Sequence, residues 1–103
     1  QIETHSMFPK KINIQFVEVL SRNDLRIEIW ERGAGYTLAS GSSSCAVACM
    51  SYKLGLTDNE VTVHMPGGNI QVSIGENWEI KMIGDVREIA SGILSSELLE
   101  DCL

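Results

Sequence analysis

The stretch that decides the fold is ERGAGYTLASGSSSCAVA, residues 31–48. It begins with an acid and a base at the end of a strand pattern, crosses a glycine-rich loop and opens into a helix whose first turn contains Gly and Ser. Glycine lets backbone approach a ligand closely because it has no Cβ atom. The first amides of a helix lack internal partners and can bind an anion. The stretch therefore predicts either a carboxylate-binding pocket beside a reactive side chain, or a plain strand–turn–helix connection with serine caps.

Two strands, 12–20 and 25–31, are predicted before this loop and are joined by a polar turn into a hairpin. In the second strand, every other residue lies on the same face, and this face carries Leu25, Ile27, Ile29 and Glu31. Because the first three of these are apolar, we expect the face to pack against the core. A carboxylate on an apolar face needs polar partners, because its desolvation is otherwise costly. Glu31 is therefore a candidate base or orienting acceptor. The alternative interpretation is that the strand has already ended and that Glu31 lies in the loop.

The remaining pattern predicts a helix over 44–54 that is apolar nearly all round, with Gly55 at its end. Strands are predicted at 60–65, 69–74 and 78–83, with a further short strand at 86–90 and a short helix after Ser95. Short turns link these strands, which favours antiparallel pairing. The pattern is typical of an α+β domain in which a mostly antiparallel sheet surrounds one buried helix.

Composition excludes several classes of function. A length of 103 residues fits one domain, and a formal net charge of −6 argues against nucleic acid as a partner. The sequence contains three cysteines, Cys45, Cys49 and Cys102, and their odd number and irregular spacing do not indicate a disulfide framework. A protein whose cysteines stay reduced suits a reducing compartment such as the cytoplasm. The i, i+4 pair Cys45 and Cys49 could ligate a metal, but the sequence favours small core residues. Neither a membrane span nor a signal peptide is expected.

Several motifs follow one another along the chain in a recognisable order. The central ones are ERGAG at 31–35, TLA at 37–39, Gly41 and CA at 45–46. The flanking ones are FP at 8–9, Asn13, MPGG at 65–68 and MIG at 82–84. Over about residues 3–92 this set resembles the C-terminal half of the diaminopimelate epimerase family.

This resemblance implies an architecture of two similar domains, each a barrel-like, mostly antiparallel sheet wrapped around a central buried helix. Residues 1–94 resemble the C-terminal domain only, and 95–103 are expected to form a short helical tail. The N-terminal domain is missing as a partner, and a sequence that opens with Gln1 is expected to be a piece of a longer protein.

The resemblance also implies a chemistry. The family inverts the α-carbon of an amino acid in lysine and cell-wall precursor synthesis, without pyridoxal phosphate or metal. Two thiols act from opposite faces of the carbon, one removing a proton while the other delivers one. We therefore expect no cofactor and a small-molecule amino-acid substrate. A homodimer is compatible with this interpretation, and no nucleic acid or membrane is expected.

Four residues of the opening stretch match the catalytic half of the family's site. Ser40 lies where the second domain's catalytic cysteine is expected. Glu31 matches the glutamate that supports this cysteine and contacts the substrate. Gly41 and Ser42 match the residues whose backbone amides hold the α-carboxylate.

Other matches concern the far end of the substrate. Asn13 and Arg32 match residues that reach this end, and a planar guanidinium is well suited to a carboxylate. Asn13 alone could equally be a turn or edge residue of the first strand. Cys45 matches a non-catalytic family position.

Ser40 departs from the family, because an alcohol is a much weaker acid than a thiol. The sequence could be an engineered inactive variant, a natural enzyme in which Glu31 or water assists Ser40, or a protein that has lost activity. Residues 42–44 also depart from the usual Thr/Ser-Gly-Ala, which favours natural divergence. The alternative functions are a cofactor-independent racemase of another amino acid and a non-catalytic amino-acid-binding domain. The isolated 103 residues are expected to be inactive.

Overall fold

The computed structural model describes residues 1–102, so Leu103, the last residue of the expected tail, lies outside the described residues. Six strands and two helices follow one another along these described residues. They are β1 (Ile14–Ser21), β2 (Asp24–Glu31), β3 (Gly35–Thr37), α1 (Gly41–Lys53), β4 (Glu60–Met65), β5 (Gly68–Ile74), β6 (Ile80–Gly84) and α2 (Ser96–Cys102). None of the helices within residues 1–102 has the length and apolar character needed to cross a bilayer.

The predicted hairpin is β1 and β2, which pair antiparallel with Ile14 opposite Trp30. The alternation in β2 has the expected consequence. Leu25, Ile27 and Ile29 are each at most 1% exposed, whereas the intervening side chains face solvent. The period-2 pattern therefore identified the core face of this strand correctly.

The sheet has the order β1-β2-β4-β5-β6, and the short strand β3 pairs with the end of β2. Within the part of the chain that the structure describes, all strand pairings are antiparallel except that of β2 with β4, where Leu25 lies opposite Val63. The predicted fold class, α+β with a mostly antiparallel sheet, is confirmed. Strands β1 and β6 remain the two edges, so the sheet of the described residues is open and not a closed barrel.

One face of α1 packs against this sheet. Val47 and Ala48 of the helix join a core supplied mainly by the inward side chains of the strands; its members are Leu25, Ile27, Ile29, Val47, Ala48, Val61, Val63, Met65, Val72 and Ile74. The opposite face of α1 is exposed at Ala46, Met50 and Lys53. The expected burial of the helix therefore holds on one side. The reason is that, within residues 1–102, the outer sides of β1 and β6 are unpaired, so the sheet does not close around the helix.

The chain after β6 differs from the sequence prediction. Residues 85–95 form neither helix nor strand, and the strand expected at 86–90 is wrong: Val86 and Ile89 are 94% and 98% exposed. The short C-terminal helix is present as α2, and the Leu98 N–H donates to the Ser95 hydroxyl at 3.3 Å. This helix packs against no other element of the described chain.

Candidate active site

The glycine-rich loop begins where β2 ends. Gly33 and Gly35 have φ values of 78° and 80°, a left-handed conformation that favours glycine. The Ala34 N–H donates to the Glu31 carbonyl at 3.2 Å, which closes the turn into β3. The strand β3 is only three residues long and brings Thr37 opposite Ile29. The chain therefore returns along β2 before it enters α1.

Glu31 is the last residue of β2 and lies opposite Gly35. The strand thus reaches Glu31, and of the two interpretations open at the sequence level the loop position is the wrong one. Its side chain is half-buried, on the same side of the strand as the core residues. No side chain or amide within residues 1–102 donates a hydrogen bond to this carboxylate, which leaves its oxygens available to a ligand.

Asn13 and Arg32 are brought together, although 18 residues separate them in the sequence. The Asn13 amide oxygen accepts the backbone N–H of Arg32 at 2.9 Å. The Arg32 guanidinium in turn donates to the Lys10 carbonyl at 3.4 Å. Both side chains are exposed. Asn13 therefore fixes the backbone from which the guanidinium extends.

Ser40 is the N-cap of α1. Its backbone is extended, with φ −154° and ψ 122°, and its hydroxyl accepts the Ser43 N–H at 3.4 Å. Such a cap satisfies one of the four unpaired amides at a helix start. The hydroxyl of Ser42 lies 3.3 Å from that of Ser40. Because of this cap the helix begins at Gly41, three residues earlier than the predicted 44–54.

The first two amides of α1 are available to an anion. The Ser43 N–H is taken by the Ser40 hydroxyl and the Ser44 N–H by the Ser40 carbonyl at 3.0 Å. Nothing in the described part of the chain accepts from the N–H groups of Gly41 and Ser42. The helix dipole adds partial positive charge at this end. The position expected to hold a carboxylate thus has donors suited to one.

Two supporting residues had no signal in the sequence pattern. The Glu3 carboxylate accepts the Trp30 indole N–H at 2.7 Å and the Gly33 N–H at 3.0 Å, which joins the N-terminal segment to the glycine loop. These bonds, the indole first, lower the pKa of Glu3 below its ordinary value of 4.5. Gln15 of β1 donates to the Ser43 hydroxyl at 3.0 Å. Both contacts join distant segments, so local periodicity could not reveal them.

The thiols nearest to the site are poor candidates for catalysis. Cys45 and Cys49 are half-buried on α1, and burial raises the pKa of each thiol above the ordinary 9.0. The Cys45 sulfur lies 3.9 Å from the Met82 sulfur. A protonated thiol in this setting packs as a small apolar side chain, which agrees with the non-catalytic role expected for Cys45.

The site residues lie apart from the apolar groove beside α1. This groove of about 430 Å³ runs between β1 and the helix, and its lining is Gln15, Val17, Val19, Ala46, Val47, Met50, Ser51, Leu54 and Leu56. It includes none of Asn13, Glu31, Arg32 and Ser40. The groove is therefore not part of the candidate site.

Comparison with known proteins places the chain among relatives of one family. A family model described as "Diaminopimelate epimerase" matches residues 1–89. The chain is 51% identical over 96 residues to "Diaminopimelate epimerase 2" of Nostoc sp., covering 93% of the chain and 34% of that protein. It is 47% identical over 85 residues to "Diaminopimelate epimerase" of Methanocaldococcus jannaschii, covering 82% of the chain and 28% of that protein.

A third relative is matched along almost the whole chain. This is "Diaminopimelate epimerase" of Desulfitobacterium hafniense, 41% identical over 102 residues, with 99% of the chain and 35% of that protein covered. The chain thus spans about a third of the length of the curated relatives it matches. With a family model over 89 of its 103 residues and these identities, the chain belongs to the diaminopimelate epimerase family.

Proposed function

We propose that the full-length protein is a diaminopimelate epimerase-type isomerase, which inverts an amino-acid α-carbon by two-base proton transfer without pyridoxal phosphate. Membership of the family is the observation that carries this proposal. The geometry supports it, because a half-buried carboxylate and a helix N-terminus with two available amides belong to the same strand–loop–helix unit. Residues 1–94 form the C-terminal half of the enzyme, with 95–103 as a tail.

The start of α1 would bind the substrate's α-carboxylate. The N–H groups of Gly41 and Ser42 donate to its oxygens, and the helix dipole favours the anion. When the α-proton leaves, negative charge spreads from the carbon into this carboxylate. The same donors therefore stabilise the transition state more than the ground state.

Ser40 would act on one face of the α-carbon. In one direction a base on the opposite face takes the α-proton, and the C–H electron pair stays on the carbon. The Ser40 hydroxyl then donates its proton to the other face, and the configuration is inverted. In the reverse direction the roles exchange. Because an alcohol is a weaker acid than a thiol, Ser40 is the slow partner, and Glu31 supports it and contacts the substrate.

Arg32 and Asn13 would recognise the distal end of the substrate. A guanidinium presents paired N–H donors that match a carboxylate. The Asn13 amide oxygen accepts the Arg32 backbone N–H at 2.9 Å, and this hydrogen bond restricts the backbone that carries the guanidinium. These residues favour an amino acid with a second polar end, such as diaminopimelate.

The rest of the protein would complete the cleft. The relatives are about three times as long as this chain, so a missing N-terminal domain has room to supply the opposing acid and the second wall. We place the protein in the cytoplasm, in lysine and cell-wall precursor synthesis. A homodimer is compatible with the two open sheet edges, β1 and β6.

A binding module is the second candidate, and one observation favours it. The Ser40 hydroxyl has a structural role as helix cap, which requires no acid chemistry. A domain that keeps the two amides, Glu31 and Arg32 could bind an amino acid and leave its α-carbon intact.

The test follows the substrate's α-hydrogen in heavy water. Full-length protein is incubated with one stereoisomer of diaminopimelate, and NMR measures loss of the α-hydrogen and appearance of the other isomer. Exchange with inversion supports the epimerase. Exchange only with a different amino acid supports a racemase of that amino acid. Saturable binding of diaminopimelate without exchange supports the binding module.

A further inference from the structure

The turn between β4 and β5 touches the loop that leads into α1. Gly67 in this turn donates its N–H to the Leu38 carbonyl at 2.7 Å, a short hydrogen bond. Leu38 is two residues before Ser40, so the contact holds the backbone just ahead of the proposed acid. The two segments are 29 residues apart in the sequence, and the function proposed above assigns nothing to this turn.

Gly67 leaves no room for a side chain. A Cβ atom at this position would lie 2.9 Å from the Leu38 carbonyl oxygen and 3.1 Å from its carbonyl carbon and Cβ. These are mainly backbone atoms, which cannot rotate away as the end of a long side chain can. The φ of Gly67 is not among the left-handed values of the chain. A substitution here therefore acts through its contact with Leu38 rather than through strain in the turn itself.

Met65, which precedes the turn, holds Ser40 directly. Its sulfur accepts the Ser40 backbone N–H at 3.4 Å, and the side chain is only 7% exposed. The Ser44 hydroxyl also lies 3.4 Å from this sulfur and donates to the Ser40 carbonyl at 2.8 Å. Ser40 is thus held at its amide by Met65 and at its carbonyl by the helix.

We propose that Met65 and Gly67 are positioning residues for the reaction: together they fix the backbone from Leu38 to Ser40 and so aim the group at position 40 at the substrate's α-carbon. This inference rests on the proposed function. Neither residue touches the substrate; both act through the loop. Proton transfer needs the acid within hydrogen-bond reach of the reacting carbon, so a small displacement of the loop slows the chemical step.

The test uses the full-length protein carrying Ser40→Cys, in which a thiol occupies the proposed acid position. Gly67→Ala is added to this background, and Gly68→Ala is the matched control. Gly68 has a φ of 140°, so alanine strains the same turn, yet a Cβ there meets nothing within 4 Å. The readouts are kcat and KM for inversion of diaminopimelate, and the alkylation rate of the thiol at position 40 followed by mass spectrometry.

Gly67→Ala is expected to lower kcat by about 10- to 100-fold, with a smaller change in KM. It is also expected to change the alkylation rate by more than about twofold, because thiol reactivity follows the local environment. Gly68→Ala is expected to lower thermal stability and to leave both readouts within about twofold. The proposal is overturned if Gly67→Ala leaves kcat and the alkylation rate unchanged, or if Gly68→Ala alters them equally.

Failure of the proposed function and failure of the positioning role give different results. If the Ser40→Cys protein turns over no diaminopimelate, the proposed function fails, and the alkylation rate alone still decides whether the turn positions residue 40. If Gly67→Ala does not fold, Met65→Leu replaces it, since it conserves volume and removes the acceptor of the Ser40 N–H. An unchanged alkylation rate in Met65→Leu then contradicts the proposal.

Discussion

At the scale of single residues, Ser40 combines two roles that pull in different directions. As N-cap it accepts the Ser43 N–H and stabilises the start of α1. As the residue at the proposed acid position it supplies a hydroxyl, which gives up its proton far less readily than a thiol. The same side chain is thus well suited to the fold and poorly suited to proton transfer at neutral pH.

Replacing the cap tests the first role. Ser40→Ala leaves the Ser43 N–H without its acceptor and is expected to lower the free energy of unfolding by about 1 kcal/mol. Urea denaturation of the full-length protein measures this loss, and Ser40→Asn serves as control because asparagine also caps well. Equal stability of the alanine and asparagine variants would contradict the capping role.

Glu31 belongs to the same scale. Its half-buried carboxylate accepts no hydrogen bond within residues 1–102, so its proposed partner is the substrate or the group at position 40. Glu31→Gln keeps the shape and removes the charge. We expect inversion of diaminopimelate to fall on the order of 100-fold. Glu18→Gln, on an exposed position of β1 paired with Arg26, is the control and should leave kcat unchanged. Full activity in Glu31→Gln would remove Glu31 from the proposed site.

At the scale of elements, the single parallel pairing of the sheet carries a polar contact. The His64 ring nitrogen Nε2 of β4 lies 2.8 Å from the Asp24 carboxylate of β2, and the Ser21 hydroxyl donates to the same carboxylate at 2.9 Å. These hydrogen bonds, that of His64 first, lower the pKa of Asp24 below its ordinary value of 3.8. The carboxylate thus joins β2 to β4 beside the hairpin turn.

This contact predicts a pH dependence. A carboxyl whose pKa is lower in the folded state stabilises that state above its unfolded pKa and loses this contribution as the pH falls through the lowered value. The urea midpoint is therefore expected to fall between about pH 5 and pH 2. Asp24→Asn, which cannot ionise, should show a shallower fall over the same range. Identical pH profiles for the two proteins would show that Asp24 has no such role.

The sequence predicted those elements whose signals are local. Alternation identified the buried face of β2, and Gly and Ser marked the start of α1. The strand β3 was not predicted, because three residues are too few to show the alternation of apolar and polar side chains and the first of them is glycine. At 86–90 the apolar residues looked like a strand, but in the described chain they pair with no strand, although the edge of β6 is open.

Of the candidate site, only the residues that lie in family motifs could be predicted from the sequence. The resemblance predicted Ser40, Glu31 and Asn13 as site residues, which remains a prediction, and the structure places Asn13 against the backbone of Arg32. The roles of Glu3 and Met65 depend on contacts with residues at least 21 positions away. No periodicity in the sequence encodes such contacts, because they arise from the order of the strands in the sheet.

At the scale of the whole molecule, the described chain is more extended than a compact domain of its length. Its radius of gyration is 17.4 Å, whereas about 13 Å is expected for 100 residues. The difference arises largely after β6, where residues 85–95 are exposed and α2 packs against no other element. Together with the exposed face of α1, this form is consistent with one part of a larger protein.

The isolated 103 residues are therefore expected to be inactive. In the proposed mechanism they supply Ser40 and two amides for the substrate's carboxylate, whereas the opposing acid and the second wall of the cleft come from the proposed N-terminal domain. The measurement is exchange of the diaminopimelate α-hydrogen for deuterium in heavy water, with the full-length protein as reference. Exchange by the isolated chain at the rate of the full-length protein would contradict the division of the site between two domains.

The central claim is that this family member carries an alcohol where the reaction needs a stronger acid. The most direct test is the rate of diaminopimelate inversion by full-length Ser40→Cys, compared with the unsubstituted protein and with Ser42→Cys. We predict a gain on the order of 100-fold or more for Ser40→Cys and none for Ser42→Cys, because residue 42 lies two positions further along the chain, inside α1. Equal rates in all three proteins, with diaminopimelate still bound, would contradict the claim and favour a binding module.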